Sequence, residues 1–234
     1  MDGIASSLAK PAQLRRDAKA RPRSEAKRAR IVATAIRHFA EHGYSAARVE
    51  DIAADLGIAK GSVFQHFKSK DGLFFEAYKS AVHSFPKYME APEEAMKQGF
   101  FAVLRYWLGR SERMVRDNWA SYRIYLIGNY GTDLALRREI NRFLVAEDPY
   151  GWNEFVRYGV TRGELRQDLD AEMIGSILEW TIDRFQDALL TEELDPGLFR
   201  KQGPVPERKE ARIQQFLDVL RRAIGSEKVQ VSGK

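Results

Sequence analysis

The chain has 234 residues, 44% hydrophobic and 30% charged, enough apolar material for one sizeable core or two small ones. It contains no apolar run of the roughly 18 residues a membrane crossing needs, no secretory-type apolar stretch over Met1 to Lys10, and no cysteine. Disulfides, thiolate metal sites and cysteine nucleophiles are thereby excluded, and a cytoplasmic protein without a membrane partner is expected. The net charge of +5 is unevenly spread: residues 1 to 70 hold 14 Lys/Arg against 7 Asp/Glu, and the remainder 24 against 26. A basic first third predicts a polyanionic partner, nucleic acid being the commonest, although a solvated basic tail has the same composition.

Residues 1–23 show no sustained helical period, contain Pro11 and Pro22, and carry Arg15, Arg16, Lys19, Arg21 and Arg23, which reads as a flexible basic arm. From Ser24, Ile31, Ala35 and Phe39 recur at helical spacing, predicting a helix that runs to about His42 and stops at Gly43. Short helices over Val49 to Leu56 and Lys60 to Phe67, with Gly57 in the turn, follow. The fourth helix starts after Ser69, a natural cap, and Pro86 should end or kink it. Beyond it lie a stripe of Phe100, Val103, Leu104, Trp107 and Leu108, a helix from Trp119 with a break at Gly128 to Gly131, and helices over about Asp133 to Val160 interrupted near Pro149 and Gly151. Ala171 to Leu190 and Pro206 to Ile224 complete the reading. No alternating strand pattern of useful length appears, so the fold class is all-α: a tri-helical domain over 24–70, a larger helical domain over 71–225, and a disordered tail over 226–234.

The segment Val49 to Phe67 has the form of a helix-turn-helix: Ala53 where the helices cross, Gly57 able to take a positive φ, and Ile52, Leu56, Ile58 and Val63 filling a small core. The second helix of such a unit can lie in the major groove, while the same spacing also suits a plain structural hairpin.

The wider segment Arg30 to Tyr78 resembles the DNA-binding domain of the TetR family of transcription regulators. Ala35 and Phe39 with Gly43-Tyr44, Asp51-Ile52-Ala53, Leu56-Gly57-Ile58, Lys60-Gly61-Ser62, His66-Phe67, and Lys70 with Leu73 carry the resemblance. It implies double-stranded DNA as partner, with Arg48, Lys60, Gly61, Ser62, Gln65, His66 and Lys70 at the interface. Gln65 has the chemistry to pair bidentately with adenine, and Lys60 can read guanine or neutralise phosphate. Three residues depart from the family pattern. Ala59 stands where a Ser or Thr usually caps the recognition helix, Arg48 replaces a small hydroxyl residue, and Phe64 takes the place of a phosphate-reaching Tyr.

The resemblance further implies a homodimer that releases a pseudo-palindromic operator when an effector of unknown identity binds. Ile174, Ile177, Leu178, Thr181 and Phe185 on one helix and Ile213, Phe216, Leu217, Leu220 and Ile224 on the last form the expected dimer stripes. Phe100, Leu104, Trp107, Tyr122, Trp152, Phe155 and Trp180 are the candidate pocket, suited to a small apolar or aromatic ligand. A ligand-independent, chromosome-organising protein is the alternative. His38-x-x-Glu41-His42 matches an inverted zinc-protease pattern, but the helix ends at Gly43 and no third ligand is nominated. No catalytic residue, metal or cofactor is expected, and the protein is read as a repressor rather than an enzyme.

Overall fold

A computed structural model describes residues 11–131, 133–200 and 206–227. Twelve α-helices occupy them, and the sole β feature among the described residues is the isolated bridge between Leu165 and Gly225. The chain divides into two compact units, residues 1–81 with 120–140, and residues 82–119 with 141–234. The first takes in more than the 24–70 segment delimited from sequence.

α1 (Pro11–Ala46) is interrupted at Gly43, whose φ of 74° and ψ of 169° end the regular helix where the sequence reading stops it. It contains residues 11–23, assigned above to an arm; residues 1–10 lie outside the described residues. Ile31, Ala35 and Phe39 recur every four residues and are completely buried. α2 (Val49–Asp55) and α3 (Lys60–Phe67) are joined by a tight C-terminal cap. Gly57 has φ 64° and donates to Ala54 O at 2.9 Å, while Ile58 N donates to Ala53 O at 3.0 Å. This paired arrangement satisfies the last carbonyls of α2 and needs a residue tolerant of positive φ at position 57.

α4 (Lys70–Val82) is capped by Ser69, whose Oγ accepts from Gly72 N at 3.0 Å. α8 (Trp119–Tyr130) lies in the same unit; it runs through Gly128 and stops after Tyr130, so the break expected over Gly128 to Gly131 falls at Gly131. A Cβ on Gly128 would stand 2.5 Å from Cε2 of the wholly buried Tyr78. Tyr78 in turn donates to Asn129 Oδ1 at 2.8 Å, so glycine at 128 lets α4 and α8 approach.

In the second unit α5 (Pro86–Met89) starts on the proline expected to end α4, and α6 (Glu93–Gln98) has no counterpart in the sequence reading. α7 (Phe100–Asp117) forms the centre of its core; Glu164 Oε2 caps it by accepting from Phe100 N at 2.8 Å. α9 (Leu134–Glu147) and α10 (Trp152–Thr161) flank the expected interruption, where Asp148 accepts from Trp152 N and Asn153 N at 2.9 and 3.0 Å. α11 (Ala171–Leu190) and α12 (Pro206–Ile224) have the bounds read from sequence. Ser226, placed at the start of the expected tail, is tied to Gly163 O and Glu164 O at 2.7 and 2.8 Å; residues 228–234 lie outside the described residues.

Seven of the ten residues expected to form dimer stripes lie in this unit's own core. Ile174, Leu178, Phe185, Ile213, Leu217, Leu220 and Ile224 are buried, and Ile177, Thr181 and Phe216 are partly so. Phe185 stacks on Phe216 with centroids 4.0 Å apart, and Thr181 returns its hydroxyl to Ile177 O at 2.6 Å. What α11 and α12 expose is Met173 (54%), Trp180 (65%) and Val219 (64%).

A polar clamp closes the end of α11. Asp195 accepts from the N–H groups of Leu198, Phe199 and Arg200, and Arg200 donates to Ala188 O and Leu189 O at 2.9 and 2.8 Å. Burial acts to raise the Asp195 carboxyl, but the backbone donors and the Arg200 charge outweigh it and hold the group below its ordinary value.

Candidate nucleic-acid interface

α3 is an eight-residue helix whose orientation is set by two apolar residues one turn apart. Val63 and Phe67 are buried against the unit that also buries Ile52 and Ala53 of α2. At 100° per residue the opposite direction belongs to Gly61 and Gln65, and both are exposed. Ser62 and Phe64 flank that face, and His66 is half-buried with its ring 6.0 Å from Phe67. Neither α2 nor α3 has a side-chain cap, because Arg48 and Ala59 occupy their N-cap positions. The α3 cap position is extended, with φ −68° and ψ 141°, so the loss lies in the side chain and not in the backbone.

Polar contacts from α1 hold the two short helices in place. Arg37 and His38 both reach Asp55 Oδ2 at 2.8 Å, fixing the end of α2. The Arg37 hydrogen bond, followed by that of His38, holds the Asp55 carboxyl below its ordinary value. This is also where the protease-like motif goes: His38 is committed to Asp55, His42 lies exposed beside Glu41, and among the described residues no three potential ligands converge. About three turns nearer the N-terminus, Lys27 donates to Ser62 Oγ at 2.6 Å, and Arg28 pairs with Glu76 while lying 5.3 Å from the centre of the Phe67 ring.

Two of the lysines expected at DNA have protein partners. Lys60 donates to Glu50 Oε1 at 2.5 Å, which lowers the Glu50 carboxyl, and its ammonium lies 5.4 Å from the Phe64 ring centroid. Lys70 donates to Ser45 O at 3.1 Å and sits 4.8 Å from the Tyr44 ring, whose hydroxyl donates to Asp71. Burial and that hydrogen bond push the Tyr44 phenol up. Arg48 is exposed at the head of α2. Five of the seven residues named from sequence, Arg48, Lys60, Gly61, Ser62 and Lys70, stand within the first three positions of α2, α3 or α4 or at the cap, and Gln65 and His66 lie further along α3. Sequence reading missed Lys27 and Glu50, because their partners are 35 and 10 residues away and no local motif marks them.

Of the seven candidate pocket residues, five gather in the core of the second unit. Phe100 stacks on Phe155 at 4.2 Å, Trp107 lies 4.5 Å from Phe155, and Trp107 and Trp152 meet edge-on at 6.2 Å, with Leu104 buried in the same cluster. Trp107 Nε1 donates to Met89 O at 2.5 Å, whereas Trp152, 8% exposed, has its Nε1 buried with no hydrogen-bond partner. Tyr122 belongs to the other unit, stacked on Tyr125, and Trp180 is on the surface. A cleft of about 630 Å³ beside Leu165, Arg166, Asp168 and Ser226 contains none of the seven.

A bundle of short helices with a capped glycine turn, presenting Gly61 and Gln65 outward on a positively charged N-terminal third, defines a helix-turn-helix transcription regulator. Residues 31–77 match the family model described as bacterial regulatory proteins, tetR family. The HTH-type transcriptional repressor AcnR of Corynebacterium glutamicum is 28% identical over 172 residues, covering 73% of this chain and 86% of that protein. Among solved structures, a TetR-family transcriptional regulator from Rhodococcus sp. superposes with TM-score 0.63 at 17% identity, covering 82% of this chain and 97% of that one. FadR of Bacillus subtilis, solved with stearoyl-CoA, gives 0.59 at 20% identity, covering 82% and 96%. Over residues 31–77 the chain is similar to the tetR family of bacterial regulatory proteins, and it is a DNA-binding transcription regulator of all-α fold.

Proposed function

We propose that the protein is a homodimeric repressor of the bacterial cytoplasm, without enzymatic activity, that holds a pseudo-palindromic operator and releases it when a small apolar or aromatic ligand enters its second unit. The exposed Gly61–Gln65 face of α3 carries the DNA half of this reading. One such face spans only a few base pairs, so two copies are needed to place recognition helices about 34 to 36 Å apart. With the inner stripes of α11 and α12 already used in the core, the contact between copies falls to the outer faces bearing Met173, Trp180 and Val219.

The ligand half rests on the Trp107, Trp152 and Phe155 cluster. A buried indole N–H without an acceptor costs free energy, about 1 to 3 kcal/mol, that a ligand oxygen placed beside it would recover. The ligand class is therefore apolar with at least one hydrogen-bond acceptor. Such a molecule acts by favouring a dimer whose recognition helices no longer match the half-site spacing.

The test is titration of a labelled operator fragment with aromatic carboxylates and, because a protein of this fold holds stearoyl-CoA, acyl-CoA compounds. The expected result is weaker operator binding with the dimer intact, together with quenching of tryptophan fluorescence that Trp152→Phe reduces. A ligand that splits the dimer contradicts the mechanism. Binding at many dispersed sites that no ligand relieves would favour the chromosome-organising alternative.

A further inference from the structure

We propose that Lys27 is a positioning residue for base reading: from α1, outside the helix-turn-helix, it fixes the Ser62 hydroxyl as a donor aimed at an acceptor atom on a base edge. This rests on α3 being the helix that enters the major groove. Lys27 Nζ lies 2.6 Å from Ser62 Oγ. An ammonium has three N–H donors and no acceptor, so the serine oxygen must accept in this contact and its own hydrogen is directed elsewhere.

That hydrogen is not consumed inside the protein. Ser111 and Thr181 return theirs to carbonyls of their own helices, Leu108 O at 2.8 Å and Ile177 O at 2.6 Å. Ser62 makes no such bond among the described residues; its backbone N–H goes to Ala59 O at 2.9 Å, and its hydroxyl oxygen is held by Lys27. Ser62 follows Gly61 and precedes Gln65 by three positions, so its free hydrogen lies beside the exposed face of α3. Accepting from a charged group also polarises the hydroxyl and strengthens it as a donor.

A hydroxyl committed as donor is selective. It suits guanine O6 and N7, adenine N7 or thymine O4, and is mismatched to the amino groups of adenine and cytosine, which are donors themselves. The neighbouring cation cannot take over this task, since Arg28 is engaged with Glu76 and lies over Phe67. Lys27 itself is only half exposed, which keeps its stem in place.

The experiment selects binding sites from randomised DNA with the full chain. It then measures affinities for single-base variants of the selected site with wild type, Lys27→Met, Lys27→Arg, Ser62→Ala and the Lys27→Met/Ser62→Ala double variant, each at three salt concentrations. Failure of the wild type to select any sequence is failure of the DNA-reading assignment and is seen before any variant is made. With a site in hand, Lys27→Met and Ser62→Ala should each lose about tenfold in affinity and relax preference at the same base pair. The double variant should lose little more than either alone, and Lys27→Arg, which keeps a charged donor, should retain the preference. The proposal is overturned if Lys27→Met leaves every base preference intact and weakens all sequences alike with a salt slope smaller by about one, the signature of a plain phosphate contact. Losses that simply add in the double variant overturn it as well.

Discussion

Replacing Gly61 by alanine separates stability from function at the candidate interface. Gly61 lies within α3 and a Cβ built on it meets nothing within 4 Å, so no overpacking cost opposes the substitution. Removing glycine's excess backbone freedom in a helix is worth about 0.5 to 1 kcal/mol. For a chain of this size 1 kcal/mol corresponds to about 2 to 4 °C in midpoint, so Gly61→Ala should melt about 1 to 4 °C higher. The same methyl group projects from the face opposite Val63 and Phe67, beside Gln65, into space that DNA is expected to fill. Displacing a close approach there should cost about 1 to 3 kcal/mol, about 5- to 150-fold in operator affinity. Thermal unfolding and operator titration on the same preparation test both halves. A variant that is more stable and binds DNA undiminished would show that nothing approaches Gly61 and would refute the assigned face.

Other perturbations test separate parts of the structure. Glu50→Gln should free Lys60 and raise DNA affinity, with the salt slope of binding steeper by about one; no change in slope would mean Lys60 stays away from phosphate. Gly128→Ala, whose Cβ meets the Tyr78 ring at 2.5 Å, should lose about 1 to 2 kcal/mol in denaturant titration, an overpacking cost of about 1 to 3 partly offset by helix propensity. Asp195→Asn should lose about 2 kcal/mol at neutral pH. Because the folded carboxyl lies below its ordinary 3.8, its contribution is complete above that value and disappears as pH falls through the lowered one. The variant's stability should therefore depend less on pH in that acid window. Trp180→Asp or Val219→Glu should shift sedimentation from dimer to monomer without loss of helical signal, and a surviving dimer would place the contact elsewhere.

The parts legible in the sequence are those decided by neighbours along the chain. Gly43 and Gly57 end their helices through positive φ, Ser69 caps α4, and α11 and α12 occupy the spans their apolar periods mark. Periodicity says that one side of a helix is apolar but not what it packs against, and Leu178 and Leu217, on the stripes expected at a second copy, are buried within their own unit. Gly128 reads locally as a breaker, and only its approach to Tyr78, fifty residues earlier, gives it a role inside α8. The short α6 between Pro92 and Gly99 is too brief to establish a period. At the candidate DNA face the motif identified the helix and its outward residues. The tie from Lys27 and the neutralising Glu50 depend on tertiary contacts that spacing along the chain does not encode.

Whether α3 reads DNA sequence is decided by selection of genomic fragments with the purified protein at near-physiological salt, with a Lys60→Ala/Gln65→Ala variant in parallel. The wild type should enrich a pseudo-palindrome that the variant no longer selects. No enrichment, or the same enrichment by the variant, would contradict that reading and leave phosphate attraction by the basic N-terminal third as the source of binding.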